Sequence, residues 1–215
     1  MATTSGTDAR SVAALRRAVL RWGEAHRRDL PWRSTRDPWL VLVSEVMLQQ
    51  TQAPRVVDPF LRFVAQFPTP AACAAAGAPA AVRAWAGLGY NRRALRLHAA
   101  AVAVVERHDG EVPEDLDALL RLPGVGAYTA RAVRVFAHEA DDAVVDTNVA
   151  RLLARAVAGA PLRPAESQDL ADRLVPPGRA WAFNQALFDL GTAHCRSRHP
   201  ACAGCPLARR CAWSV

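Results

Sequence analysis

A chain of 215 residues with 51% apolar composition is long and apolar enough to bury a real core in one or two domains. No run of about 18 apolar residues occurs, which excludes a membrane-spanning helix, and the polar N-terminus lacks the layout of a secretory signal, so a cytoplasmic, nucleoid-associated location is expected. The formal charge of +7 favours a polyanionic partner, and because all 27 basic residues are arginine, Schiff-base chemistry on a lysine is excluded and only the N-terminal amine is left for it.

In chain order, the first nine or so residues read as a loose tail. Apolar stripes of helical period then run over Val12–Ala25, Leu40–Leu48, Pro54–Gln66, Ala78–Gly87, Arg92–Glu106, Leu116–Leu122, Ala127–His138, Thr147–Ala158, Ser167–Leu174 and Ala180–Leu190. Short loops with Pro or Gly separate them: Phe67–Pro70, Leu88–Asn91, Asp109–Pro113 and Pro176–Gly178. No alternating strand pattern, internal repeat or long linker is visible, and a compact all-α protein is expected. Cys73, in an Ala-rich stretch, reads as a small core residue.

Leu122-Pro123-Gly124-Val125-Gly126 falls between two of these helices. Proline stops the first, while Gly124 and Gly126 can take backbone angles denied to side chains and let a phosphate approach the amides opening the second. Two glycines in a turn equally suit an ordinary helical hairpin, and the pattern alone leaves both readings open. The same holds for two carboxylates. Glu45 lies among Val41, Leu42, Val43, Val46, Met47 and Leu48, a setting for a buried acid or for a surface Glu on an amphipathic helix. Asp146 precedes a helix, where Asp is a favoured cap.

Cys195, Cys202, Cys205 and Cys211 form a C-x6-C-x2-C-x5-C arrangement near the C-terminal end. Four thiolates so close in sequence can enclose one soft metal centre, and the spacing leaves zinc and a [4Fe-4S] cluster open. The absence of an export signal argues against disulfides. Arg196 and Arg198 lie between the first two cysteines, in a basic loop staked by the ligands and suited to phosphates. An ordinary solvated basic loop would look the same.

Several blocks taken together resemble one family: Leu30-Pro31-Trp32-Arg33, Ser44-Glu45-Val46-Met47-Leu48-Gln49-Gln50-Thr51, Gly87-Leu88-Gly89-Tyr90, the glycine hairpin, Val145-Asp146-Thr147-Asn148-Val149, and the four cysteines in that order. The chain resembles the helix-hairpin-helix DNA glycosylases that carry an iron-sulfur cluster, and within them the MutY adenine glycosylases, from about Arg27 to Cys211. The resemblance implies a two-lobed, all-α fold. Residues 31–142 would form a six-helix barrel; residues 1–30 and 143–215 would form the cluster lobe, with the DNA and the reaction centre between the lobes. It implies a [4Fe-4S] cluster on the four cysteines and DNA phosphate binding at Gly124, Val125 and Gly126.

For the reaction, the resemblance implies that Glu45 protonates adenine at N7 and that Asp146 stabilises or transiently captures the sugar cation, two carboxylates dividing the work as in glycoside hydrolysis. Apolar company would raise the pKa of Glu45 and keep it protonated. Because the target base must be flipped out of the duplex, Gln50 and Tyr90 would lie at the lesion, with Gln49 and Thr51 beside them. Arg28, Trp32 and Leu48 would line the base pocket, with Gln185 and Asp189 on its far side. Tyr128 stands where bifunctional relatives such as endonuclease III carry a catalytic lysine, so a monofunctional enzyme without significant lyase activity is expected. The partner would be double-stranded DNA with a mispair or lesion, bound by a monomer.

Two departures keep alternatives in view. Typical MutY proteins continue into a C-terminal domain that helps recognise 8-oxoguanine, whereas this chain ends four residues after Cys211. Ala53, Asn91 and the length lean toward the mismatch glycosylases that remove thymine or uracil opposite guanine; Gln49, Gln50, Tyr90 and Gln185 lean toward adenine. A non-catalytic, lesion-sensing DNA-binding protein is the third reading, and retention of both Glu45 and Asp146 argues against it, since neither carboxylate aids binding to a polyanion.

Overall fold

A computed structural model describes residues 9–213. Eleven α-helices and no strand occur among the described residues: α1 Ala9–His26, α2 Pro38–Leu48, α3 Ala53–Gln66, α4 Pro70–Ala76, α5 Ala78–Ala84, α6 Arg92–Arg107, α7 Leu116–Leu120, α8 Ala127–His138, α9 Thr147–Leu153, α10 Pro164–Leu174 and α11 Ala180–Ala193. The all-α fold is as expected. The N-terminal tail lies outside the described residues, apart from the start of α1. No described helix is long and apolar enough to cross a membrane.

Three boundaries differ instructively from the periodicity. The Ala-rich segment Pro70–Ala76 is helical, started by Thr69, whose hydroxyl accepts from the amide of Ala72, with Pro70 in the first turn. Apolar residues on every side gave it no stripe to read. Helix α9 runs on into a π-helical turn, Ala154–Ala158, that ends at Gly159 in the left-handed region (φ 68°). Helix α7 stops at Leu120 rather than Leu122, its N-terminus held by the carboxylate of Asp115 on the amide of Ala118 (2.8 Å).

The chain divides into two compact units, one continuous from Asp29 to Glu139, the other combining the residues up to Arg28 with those from Ala140 onward. The continuous unit holds α2 to α8. Its centre is aromatic: Phe60, Phe63, Phe67 and Trp85 are fully buried, Phe63 meets Phe67 and Trp85 edge to face, and the indole of Trp39 donates to the carbonyl of Phe67 (2.9 Å). Helix α2 packs on α8 and on α3, and seven consecutive residues of it, Val41 to Met47, are buried. A helix apolar on nearly every side is a core helix.

In the discontinuous unit, α1 pairs with α11. Gly23 makes that approach possible, because a β-carbon there would lie 2.5 Å from that of Ala186. The extended segment Asp142–Val144 has no strand partner, so side chains satisfy its backbone. The buried amide of Asn184 accepts from the Val144 N–H (2.8 Å) and donates to the carbonyl of Asp142 (3.0 Å), while Asp172 and Gln168 serve the N–H and carbonyl of Ala143. This stapling fixes the backbone two residues before Asp146.

Candidate active site

Glu45 sits in the middle of α2 and is 5% exposed, with Val41, Leu42, Val43, Val46 and Met47 buried on the same helix. Of the two settings open to it in the sequence, the structure gives the buried one. Asp37 starts the helix, its carboxylate accepting from the amides of Trp39 and Leu40. One turn after Glu45, α2 ends at Leu48, and Gln49 caps it with its side-chain amide 3.5 Å from the hydroxyl of Thr129 on α8. Gln50 follows, exposed and left-handed (φ 56°), and the Thr51 N–H donates to the carbonyl of Leu48 (3.1 Å). Trp32 is buried in the same unit and packs edge to face on Phe60.

Tyr90 ends the Gly87–Tyr90 loop 65% exposed and, like Gln50, in the left-handed region (φ 51°). Backbone angles of this kind are uncommon for bulky residues and gather at functional sites. One residue joins the two loops: Arg93 on α6, which donates both to the Gln49–Thr51 turn and to Leu88 and Gly89.

The glycine hairpin lies between α7 and α8. Gly124 is left-handed (φ 79°), and a β-carbon on it would stand 2.7 Å from that of Arg96, so glycine is required there on two counts. The buried Val125 anchors the turn from below, its amide donating to the carbonyl of Leu122 (3.1 Å). Gly126 caps α8 with open space where a side chain would be. The amides opening α8 are thus left accessible to an anion. Tyr128, half-buried, is in the first turn of that helix.

Asp146 belongs to the other unit and caps α9. Its Oδ1 accepts from the amides of Asn148 (2.9 Å) and Val149 (2.7 Å), and its Oδ2 from the side-chain amide of Asn148 (2.9 Å). The Asn148 side-chain oxygen in turn accepts from Arg151 (2.8 Å), whose Nε donates to the carbonyl of Cys195 (2.7 Å). A continuous hydrogen-bonded path therefore runs from the carboxylate to the backbone of the first cysteine. Gly191 on α11 makes room for it, since a β-carbon there would stand 3.1 Å from that of Asn148. Sequence reasoning missed Asn148, Arg151 and Arg93. Arg93 alone left a signal, an arginine on the face of α6 that also buries Ala94, Leu97 and Ala101.

Arg28 and Asp189 meet in this unit: the Arg28 Nε lies 2.6 Å from the Asp189 carboxylate, which is 2% exposed, and the Arg28 backbone amide donates to the same group. Gln185, one turn earlier on α11, is buried.

Cys195, Cys202, Cys205 and Cys211 all line one cavity with Leu152, Leu207 and Trp213. Burial and the neighbouring cysteines push the Cys205 thiol up, the mark of several like groups gathered in a low-dielectric site. Among the described residues no three His, Cys, Asp or Glu side chains close tightly enough to hold a single metal ion; the sulfurs are arranged around shared space. The loop carrying Arg196 and Arg198, both exposed, is fastened from behind by Arg155, which donates to the carbonyls of Arg196 (2.8 Å) and Ser197 (3.3 Å) and stacks on Trp213. A donor set of four soft sulfurs around one cavity fits a thiolate-bound cluster.

Residues 43–177 match the HhH-GPD superfamily of base excision DNA repair proteins. The chain is 49% identical over 199 residues to the adenine DNA glycosylase of Mycolicibacterium smegmatis, covering 91% of this chain and 68% of the relative. It is 35% identical over 213 residues to the thymine-DNA glycosylase of Aeropyrum pernix, covering 95% of this chain and 96% of the relative. Among solved structures, a thermostable thymine-DNA glycosylase superposes with a TM-score of 0.90 at 29% identity, covering 97% and 98% of the two chains. The chain belongs to the HhH-GPD superfamily. It spans about two thirds of the length of the mycobacterial relative it matches.

Proposed function

We propose that the chain is a short MutY-like DNA glycosylase that flips a mispaired adenine out of duplex DNA and hydrolyses its N-glycosidic bond, leaving an abasic site. The observation that carries this reading is the buried carboxylic side chain of Glu45 one helical turn before the strained Gln49-Gln50 turn. Adenine DNA glycosylases among the relatives support the choice of base.

Adenine is a poor leaving group as an anion. Glu45, its carboxyl buried within α2, is the proton donor toward adenine N7. As the C1′–N9 bond breaks, positive charge grows on the sugar, and Asp146, held by three N–H donors at the start of α9, stabilises it. Water adds to C1′ and gives its proton to solvent, which completes the hydrolysis. Tyr128 in place of an amine leaves no side-chain nucleophile for a Schiff base there, so no significant strand cleavage is expected.

Gln50 and Tyr90 enter the space vacated by the base, with Gln49 and Thr51 in the turn beside them. Arg28, Trp32, Leu48, Gln185 and Asp189 receive it. The hairpin of Gly124, Val125 and Gly126 binds the backbone, with the amides opening α8 toward a phosphate, while Arg196 and Arg198 add charge. Cys195, Cys202, Cys205 and Cys211 hold a [4Fe-4S] cluster, which when bound cross-links the C-terminal loop and fixes its arginines. The enzyme acts as a monomer on nucleoid DNA.

The likeness to thymine-DNA glycosylases, one of which is covered almost end to end, favours a second reading: thymine or uracil removed opposite guanine. Single-turnover base release by cluster-loaded protein separates the two, on duplexes with A opposite 8-oxoguanine, A opposite G, T opposite G and U opposite G. Release of adenine is expected. Release of thymine or uracil alone would establish the second reading, and tight binding without release on any duplex would make the chain a lesion sensor.

A further inference from the structure

Arg93 is 8% exposed, on the inward face of α6, and its guanidinium is the meeting point of three backbone segments. Nη1 donates to the carbonyls of Val46 (3.2 Å), Met47 (2.8 Å) and Gln49; Nη2 donates to the Thr51 hydroxyl (3.2 Å) and to the carbonyls of Leu88 (3.3 Å) and Gly89 (3.2 Å). The cation also lies 5.4 Å from the Trp85 ring and 5.5 Å from that of Tyr90. Val46 and Met47 belong to the last turn of α2, where carbonyls lack helical partners and the helix dipole favours positive charge.

The remaining contacts are more specific than a helix cap. Gln49 and Gly89 each immediately precede a left-handed residue, Gln50 and Tyr90 respectively, and both of their carbonyls are held by the one planar group. A backbone angle that side chains rarely adopt persists only where its surroundings over-determine it. Here the same cation fixes the peptide entering each strained residue.

We propose that Arg93 is a positioning residue that locks the Gln49–Thr51 and Leu88–Tyr90 loops into one rigid wedge, so that Gln50 and Tyr90 enter the base stack together. The inference rests on the glycosylase reading and deepens it. Arg93 touches no reacting atom; it acts through the two loops and assists the unstacking of the target rather than bond cleavage. Lysine cannot replace it, because one ammonium presents its donors from a single point, whereas the guanidinium spans both loops at once.

The test compares wild type and Arg93→Lys, both cluster-loaded, in single-turnover release of adenine from two duplexes. In one, adenine faces 8-oxoguanine; in the other it faces an abasic site, where extrusion is easier. Arg93→Lys is expected to slow release from the first duplex at least about tenfold more than from the second, and to weaken the fluorescence rise of a 2-aminopurine beside the target on binding. Equal slowing on both duplexes, or an unchanged ratio, would overturn the proposal and leave Arg93 a purely structural group. Should Arg93→Lys fail to fold, Thr51→Val, which removes one acceptor and keeps the guanidinium, is read by the same ratio. A wild type that releases no adenine from either duplex would overturn the adenine reading on which the inference rests, and this inference with it.

Discussion

Glu45 and Asp146 carry the same functional group in opposite surroundings. Glu45 is in the middle of a helix whose neighbouring side chains are buried and apolar, whereas Asp146 is half-buried at the very start of one, with three N–H donors on its oxygens. Low dielectric favours the neutral acid, and converging donors suit an anion's lone pairs. The lesson is that α-helical architecture alone supplies two settings for a carboxyl group: the interior of a buried helix and the amides of a helix N-terminus.

The comparison breaks most visibly at Glu45. Glu45→Gln keeps size and hydrogen bonding but cannot give up a proton; base release in single turnover is expected to fall by roughly 10²- to 10⁴-fold, with DNA binding by gel shift unchanged. Equal activity would mean that the buried carboxyl is not the acid. Asp146→Asn is the second cut. Asparagine caps a helix about as well as aspartate, so thermal stability should hold within roughly 0.5 kcal/mol, while the loss of the anion slows release on the order of 10²-fold. Asp146→Ala separates the two roles, costing about a further 1 kcal/mol of stability through the lost cap.

Arg151→Ala probes the path behind Asp146 rather than the carboxylate. With Asn148 no longer held, release should slow about tenfold, less than for Asp146→Asn, and if the four cysteines hold the proposed cluster its visible absorbance should fade faster under air because the Cys195 carbonyl loses its donor. A wild-type rate would place the path outside the reaction. The smallest effect isolates burial without donors. Cys73 is fully buried, and desolvation pushes its thiol up from 9.0 to about 11. The unfolded chain therefore releases this proton from about pH 9 while the folded chain keeps it to about pH 11, so stability is intact below pH 9 and declines as pH rises between those values. Cys73→Ala should flatten that decline in urea titrations; an identical slope would remove Cys73 as its source.

Much of this was legible in the order of residues. Amphipathic stripes located ten helices because burial on one side and water on the other impose the period of the helix. Helix α4 escaped because Ala-Ala-Cys-Ala-Ala-Ala offers no contrast between sides, and Thr69-Pro70, which starts it, read as the end of a loop. Glu45 and Asp146 could be named as candidates, and Asp146 as a helix cap, but the setting of Glu45 could not: nothing local distinguishes a glutamate facing the core from one facing solvent. Arg151 was invisible for a related reason. Its partners include the carbonyls of Cys195 and Gly191, some forty residues away, and a carbonyl carries no sequence signature. Arg93 stood out of place in an apolar stripe, but which backbone it would gather required coordinates.

The pairing of α1 with α11 sets the order in which the polypeptide can reach its native state. Synthesis delivers α1 first, with Leu15 and Val19 on the stripe it buries and Gly23 shaped to receive Ala186, yet that receiving surface leaves the ribosome more than 150 residues later. Meanwhile the residues from Asp29 to Glu139, which form one compact unit, are made without interruption. The first helix must therefore wait, its stripe unsheltered, until α11 and then the cysteine loop emerge. The carboxylate at Asp146, its arginine support and the four thiols come together only once that later segment has been made.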